Sequence, residues 1–318
     1  MLARVAERVY WMGRYIERAE STARLVNAYT TQMMDLPKAA EHGWKGLVDI
    51  VGANPAFDAS YTTYDETSTT AFLIADADHP GSILSSLAMA RENVRTTRDV
   101  LPTEAWACAN ELYLHARTHA GEAIGRKHRF SFLNAVIFRC QQITGLLAGT
   151  MSRDAAYEFV RVGRNLERAD MTTRIIDSAA FILMPRKATP GEYDNMLWVN
   201  VLKSLSAYQM YRRHVRNRLV ADEVIRYLLK DRVFPRAVAH TLAEGREGLA
   251  SLRHNGGPLL SLARAQARTD AADVAALSLD GLHRLIDEVQ ADLGDLHRQI
   301  AATWFARERP VQVQAQSA

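Results

Sequence analysis

Gly13-Arg14-Tyr15-Ile16-Glu17-Arg18-Ala19-Glu20 returns 150 residues later as Gly163-Arg164-Asn165-Leu166-Glu167-Arg168-Ala169-Asp170. The agreement continues through Thr22/Thr172 and Arg24/Arg174, with Leu25-Val26 opposite Ile175-Ile176. Around the first copy Val5, Val9, Met12, Ile16, Ala19, Ala23 and Val26 recur three or four apart, which is the period of a helix with one apolar face. A second block matches at an offset of 155: Phe72-Leu73-Ile74 with Tyr227-Leu228-Leu229, Pro80 with Pro235, Arg91-Glu92 with Arg246-Glu247, and Arg98 with Arg253. A third, weaker block sets Gln142-Ile143 against Gln299-Ile300. Three blocks in one order point to two copies of one multi-helix unit, residues 1–150 and 151–309, with a loose polar tail at 310–318.

Working outward, the pattern is helical nearly everywhere and predicts an all-α helical bundle. Helices are expected over about 3–34, 80–101, 103–119, 130–151, 154–183, 192–210 and 211–230, and after Pro235 to about Arg253. Residues 37–70, rich in Gly, Tyr and Thr, read as a short helix plus a long loop. Asn255-Gly256-Gly257-Pro258 reads as a break. Leu279, Leu282, Ile286, Val289, Leu293, Leu296 and Ile300 alternate three and four apart, a seam made for packing on other helices.

Composition narrows the function classes. The 318 residues are 48% hydrophobic and 24% charged, which excludes a disordered or collagen-like chain. Two cysteines, Cys108 and Cys140, offer no disulfide framework. No run of apolar residues reaches membrane-span length, and the charged N-terminus lacks the apolar segment of an export signal. The expectation is a cytoplasmic protein that does not enter a membrane. A net charge of +3 does not argue for a nucleic-acid partner. The basic residues are 33 Arg against 6 Lys, and Arg is the residue suited to buried ion pairs and two-pronged carboxylate or phosphate binding.

The residues shared by the two copies carry the chemistry. Packing alone would keep the apolar period and let exposed polar positions drift, yet the identities are largely Gly, Arg and Glu. On a helical wheel Gly13, Arg14, Glu17, Ser21 and Arg24 occupy an arc of about 100°, opposite the apolar residues. A buried, paired ionic network accounts for this better than a solvated face, because buried charge constrains both partners. Mid-helix glycine costs about 1 kcal/mol relative to alanine, so Gly13 and Gly163 are expected where another backbone approaches closely. Two helices crossing there would bring the stripes together. The candidate ligand-binding set is then Arg14, Glu17, Arg18 and Arg24 with Arg164, Glu167, Arg168, Asp170 and Arg174. The stripe Arg91, Glu92, Arg95 and Arg98, with Arg246 and Glu247, is expected to complete it. Glu17 and Glu167 are the candidate catalytic groups.

Other motifs carry little. Glu111, His115, His119 and Glu122 share a helix face but lack the spacing of a di-metal bundle, so no metal is expected. Gly121 to Lys127 has the wrong spacing for a phosphate loop, and Cys140 falls on an apolar seam.

The segments YWMGRYIERAESTARLV and GRNLERADMTTRIID, together with ARENVRTTRDVL and the opening MLAR, resemble the alpha-E family of bacterial all-helical proteins with a repeated Glu-Arg motif. Tyr157 stands where that family would have Trp, and Asp170 replaces Glu in the second motif. The resemblance covers nearly the whole chain. It implies gene neighbours that are circularly permuted ATP-grasp proteins, transglutaminase-like peptidases and a proteasome-like peptidase. It implies, in turn, a role in making or processing a peptide or amide-linked product. No cofactor is expected. Three readings stay open. The chain is an accessory or substrate-binding component that uses the Arg/Glu cluster to hold a small anionic ligand or peptide, or to dock the ligase. Alternatively it is an enzyme with Glu17 or Glu167 as general base. In the third reading the cluster is an ionic core and function lies elsewhere. Neighbouring Arg should depress a Glu pKa and make a weak base, which favours binding over catalysis.

Overall fold

Two long helices carry the repeated motifs, and the rest of the chain is arranged around their crossing. Helix α1 spans Ala3–Asp35 and α8 spans Ala155–Leu183. A Cβ at Gly13 would lie 2.5 Å from the carbonyl oxygen of Val160, and one at Gly163 would lie 2.2 Å from that of Tyr10. Each glycine therefore meets the backbone of the other helix, an approach that no side chain permits. The computed structural model describes residues 1–35, 43–183, 194–215 and 219–305. The expected tail at 310–318 lies outside them.

The described residues form fourteen α-helices and no strand. Helices α5 (Ile83–Arg95) and α7 (Arg126–Thr150) pack on α1, with α6 (Thr103–His119) across both. Helices α12 (Val238–Ser251) and α14 (Leu279–Ile300) pack on α8, with α13 (Gly256–Ala271) across both. The seam read from the sequence is the inner face of α14: Leu282, Ile286, Val289, Leu293, Leu296 and Ile300 are all buried. Val9, Met12, Ala19, Ala23 and Val26 are buried on one side of α1, and Glu17, Glu20 and Ser21 are buried too. Helix α1 thus buries carboxylates as well as its apolar side, while Arg8, Trp11, Tyr15 and Arg18 stay partly exposed.

Several boundaries differ from expectation. Residues 37–70 hold three short helices, α2 (Lys45–Val51), α3 (Asn54–Ser60) and α4 (Glu66–Thr70), the last continued by a wider π-turn at Ala71–Ala75. Helix α5 starts at Ile83 rather than Pro80, because the Ser82 side chain accepts the backbone N–H of Ser85 and caps it there. The expected break at Asn255 to Pro258 is instead the start of α13, where Pro258 sits in the first turn and its missing N–H costs nothing. The region 192–230 divides into α9 (Asp194–Ser204), α10 (Tyr208–His214) and α11 (Ala221–Lys230).

Candidate functional site

At the crossing, each motif glutamate is held by arginines from the opposite helix. Arg14 Nε donates to Glu167 Oε2 at 2.6 Å, and Arg18 reaches the same carboxylate through Nε and Nη2 at 2.5 and 3.1 Å. In return Arg168 holds Glu17 with Nε at 3.0 Å and Nη2 at 2.6 Å. The i, i+4 step from Glu17 to Ser21 adds a hydroxyl donor at 3.3 Å. The sequence spacing produces this directly: Arg14, Glu17 and Arg18 are within one turn, so two helices crossing at glycine present donor and acceptor to each other at the same height.

A further arginine completes one side. Arg236, just ahead of α12, donates from Nη1 to Glu17 at 2.5 Å and from Nη2 to Glu20 at 2.7 Å. Thr172 on α8 fixes its backbone by donating to the Arg236 carbonyl at 2.9 Å. Glu20 also accepts from Arg24 Nε and Nη2, at 2.9 and 2.8 Å. The matching pair on α8, Asp170 with Arg174, is 3.0 Å apart and stays partly exposed.

The electrostatics follow from these contacts. Burial by itself would raise the Glu17 carboxyl, but Arg168 and Arg236 outweigh it and hold the group far below the usual carboxylate range. Burial likewise opposes ionisation of Glu167, and Arg14 and Arg18 overcome it, leaving a pKa of about 2. Both carboxylates are ionised and saturated with donors at neutral pH. Arg164, the counterpart of Arg14, fares differently. Its Nε is buried and meets no hydrogen-bond partner among the described residues, and burial followed by repulsion from Arg168 lowers its pKa.

The structure brings together Arg14, Glu17, Arg18, Arg24, Glu167 and Arg168, with Arg164 beside them. It does not bring the second stripe to this network. Arg91 donates to Asn110 at 2.7 Å and lies over the rings of Trp106 and Tyr113; Arg98 also lies over Trp106. Arg95 pairs with Glu92 at 2.7 Å on an exposed turn. Arg246 is exposed, and Glu247 pairs with Arg161 at 2.5 Å. Aromatic contacts account for Arg91 and Arg98, and partly exposed ion pairs for Glu92, Arg95 and Glu247. Glu20 and Arg236 were not among the candidates. At the offset of 155 Arg236 stands opposite Gly81, so the repeat carried no signal for it.

The network opens to a cavity at Arg24. Arg24 turns its remaining Nη1 to the Ser206 hydroxyl, and both line a cavity of about 350 Å³ between α1, α7 and the end of α9. This is the size range of small-ligand pockets. Lys203, Asn27, Asn134, Gln141 and Asn200 also line it. No three His, Cys, Asp or Glu side chains among the described residues converge as a metal set, and burial pushes the Cys140 thiol well above its ordinary range. No helix among them is long and apolar enough to cross a membrane.

The model of the Alpha-E family, an alpha-helical domain with a conserved ER motif, matches residues 1–305. Uncharacterized proteins of Mycobacterium bovis and Mycobacterium tuberculosis are 22% identical over 337 residues, covering 95% of this chain and 37% of theirs. The chain thus spans little more than a third of the length of the curated relatives it matches. No solved structure matches it.

Proposed function

The chain belongs to the Alpha-E family, and on that footing we propose that it is a non-catalytic binding component of an ATP-grasp-linked peptide or amide ligation system inside the cell. The paired Glu-Arg motifs are its ionic joint, and the pocket beside Arg24 is where a small anionic ligand is held. The observation that carries this reading is the saturation of both motif glutamates. A general base must accept a proton near the working pH, and carboxylates pinned low by two arginines each do not. The enzyme reading based on Glu17 or Glu167 loses its chemistry on that ground. The matched order of helices packed on α1 and on α8 supports the reading of residues 1–150 and 151–309 as two copies of one unit.

Native mass spectrometry of the protein captured at low salt from its host's lysate tests the proposal. The expected result is a stoichiometric complex with a circularly permuted ATP-grasp protein, or a retained small acidic molecule. A bare chain under these conditions, together with no effect of added chain on the ligase's turnover, would sink it. Loss of the complex on raising the salt would mark the contact as electrostatic.

A further inference from the structure

We propose that the pocket beside Arg24 binds the free carboxylate end of a short peptide, with a small aliphatic side chain inserted behind Asn200. This deepens the reading of that pocket as a ligand site and rests on it.

The lining sets the ligand class. Lys203 and Arg24 line the cavity, Arg24 being held from behind by Glu20, and among the described residues no carboxylate lines it, so an anion is favoured there. The remaining polar lining is mostly carboxamide: Asn27, Asn134, Gln141 and Asn200, drawn from α1, α7 and α9. A carboxamide both donates and accepts, which matches the alternating N–H and C=O groups of a peptide. A phosphate offers acceptors, and would leave the carboxamide oxygens unpaired. Phe138 stands 66% exposed at the rim and supplies an apolar surface beside the polar floor.

Asn200 is the most informative of these residues. It is 4% exposed, yet its Nδ2 has no hydrogen-bond partner among the described residues. A buried amide left unpaired is costly, and a turn of the Asn200 side chain would present it to a ligand carbonyl. Asn200 also lines a second, narrow cavity of about 40 Å³ whose walls include Leu25, Ile50, Ile175 and Leu197. That space admits a group of a few carbon atoms. Asn200, with Ala28, thus lines both a polar chamber and an apolar slot, so a ligand amide and its side chain can be read at adjoining places.

Ser206 adds to the case. It closes α9 at φ 53°, a left-handed conformation usually left to glycine. Its hydroxyl is what accepts the Arg24 Nη1 hydrogen, so the strained serine holds the guanidinium at the pocket's edge.

The test uses the purified full chain and three probes: L-alanyl-L-alanine, its C-terminal amide, and inorganic phosphate, each titrated by calorimetry. The dipeptide is expected to bind saturably, and the amide about tenfold more weakly because the charge-assisted contact is lost. Lys203→Met should weaken the dipeptide by a similar factor. Asn200→Leu should do the same while leaving the melting temperature of the free protein unchanged or higher, since leucine fills the site without an unpaired donor. Equal affinity for acid and amide overturns the carboxylate assignment. Tighter binding of phosphate than dipeptide overturns the peptide assignment but leaves an anion pocket. If Asn200→Leu lowers the melting temperature and spares the affinity, Asn200 is a packing residue and the proposal fails. Binding of none of the three removes the pocket as a ligand site altogether. A missing ATP-grasp partner in the lysate experiment does not affect any of these titrations, so the two readings fail separately.

Discussion

The same eight-residue motif meets two different fates in α1 and α8. Glu167 is satisfied entirely from the opposite helix, by Arg14 and Arg18. Glu17 takes only Arg168 from the opposite helix, and its second cation is Arg236, from a third segment. Arg164 stands where repetition would make it a donor, and its Nε is left with no partner among the described residues. The two sides differ by one added group: Arg236 pairs with both Glu17 and Glu20. Among the described residues Glu167 takes its arginines from α1 alone. Identity of motif does not ensure identity of role when a neighbouring element brings a competing group.

The largest expected effect separates the two glutamates. Glu17→Gln leaves Arg168 and Arg236 without their common counter-charge in a site where Glu17 itself is 1% exposed. Breaking such a buried pair costs about 3–5 kcal/mol. Glu167→Gln strands Arg14, as exposed as Arg168 at 12%, and Arg18, which at 20% against 9% for Arg236 turns more easily to water, so its cost is lower, about 2–3 kcal/mol. Denaturant unfolding of both variants measures the order. Equal losses would mean that Arg236 adds nothing to the Glu17 side.

Next in size is the crossing itself. Gly163→Ala places a methyl 2.2 Å from a backbone oxygen that cannot rotate away, and the helices must separate. Overpacking of this kind costs about 1–3 kcal/mol, against which the better helix propensity of alanine returns about 1 kcal/mol. Gly13→Ala, at 2.5 Å, should behave alike and somewhat more mildly. A stability gain in either would contradict the close approach.

Arg14→Met against Arg164→Met tests the asymmetry most directly. Removing Arg14 takes a 2.6 Å donor from Glu167 and should cost about 1–3 kcal/mol. Removing Arg164 deletes a half-hidden cation with an unpaired Nε, and stability should stay within about 0.5 kcal/mol of wild type or rise. A large loss on Arg164→Met would restore the symmetric picture.

Much of this was open to the sequence. The glycines, the Glu-Arg pairs and the α14 seam are long-range regularities that survive in one dimension because each is repeated or periodic. Helices α2 to α4 were not legible, since elements of five to seven residues hold too few turns for a 3.6-residue period to show. Arg91 and Arg98 misled because shared identity was read as shared ionic pairing, while their partners are the rings of Trp106 and Tyr113, which no repeat announces. Arg236 lies outside any motif and gains its role only when Thr172 fixes its backbone against α8. Asn200 is a neutral amide in an unremarkable helix; only an unpaired Nδ2 in three dimensions singles it out.

The smallest effect concerns a matched pair of positions further along the two long helices, Asn27 on α1 and Asp177 on α8. Asn27 lines the pocket beside Arg24, whereas Asp177 is tied to α14 through His283 Nδ1 at 2.8 Å. The hydrogen bond and charge of Asp177 raise the His283 pKa above its ordinary value. A histidine raised on folding contributes stability that is fully present below its unfolded pKa, near about 6.5, and is lost as pH climbs through the folded value. Stability should therefore fall slightly from about pH 6 to 8. The imidazole is well exposed and solvent screens the pair, which limits the change to a few tenths of a kcal/mol. Asp177→Asn, which gives α8 the residue that α1 has, should reduce that slope to the part held by Asp287 and Asp280. It should leave untouched the opposite, acid-side loss that comes from Glu17 and Glu167. Those carboxyls are depressed on folding, so their contribution is present above the ordinary carboxylate pKa and drains away as pH falls toward about 2. If Asp177→Asn also flattens the acid limb, the two long helices are not electrostatically separate along their length, and the contrast between their ends must be redrawn.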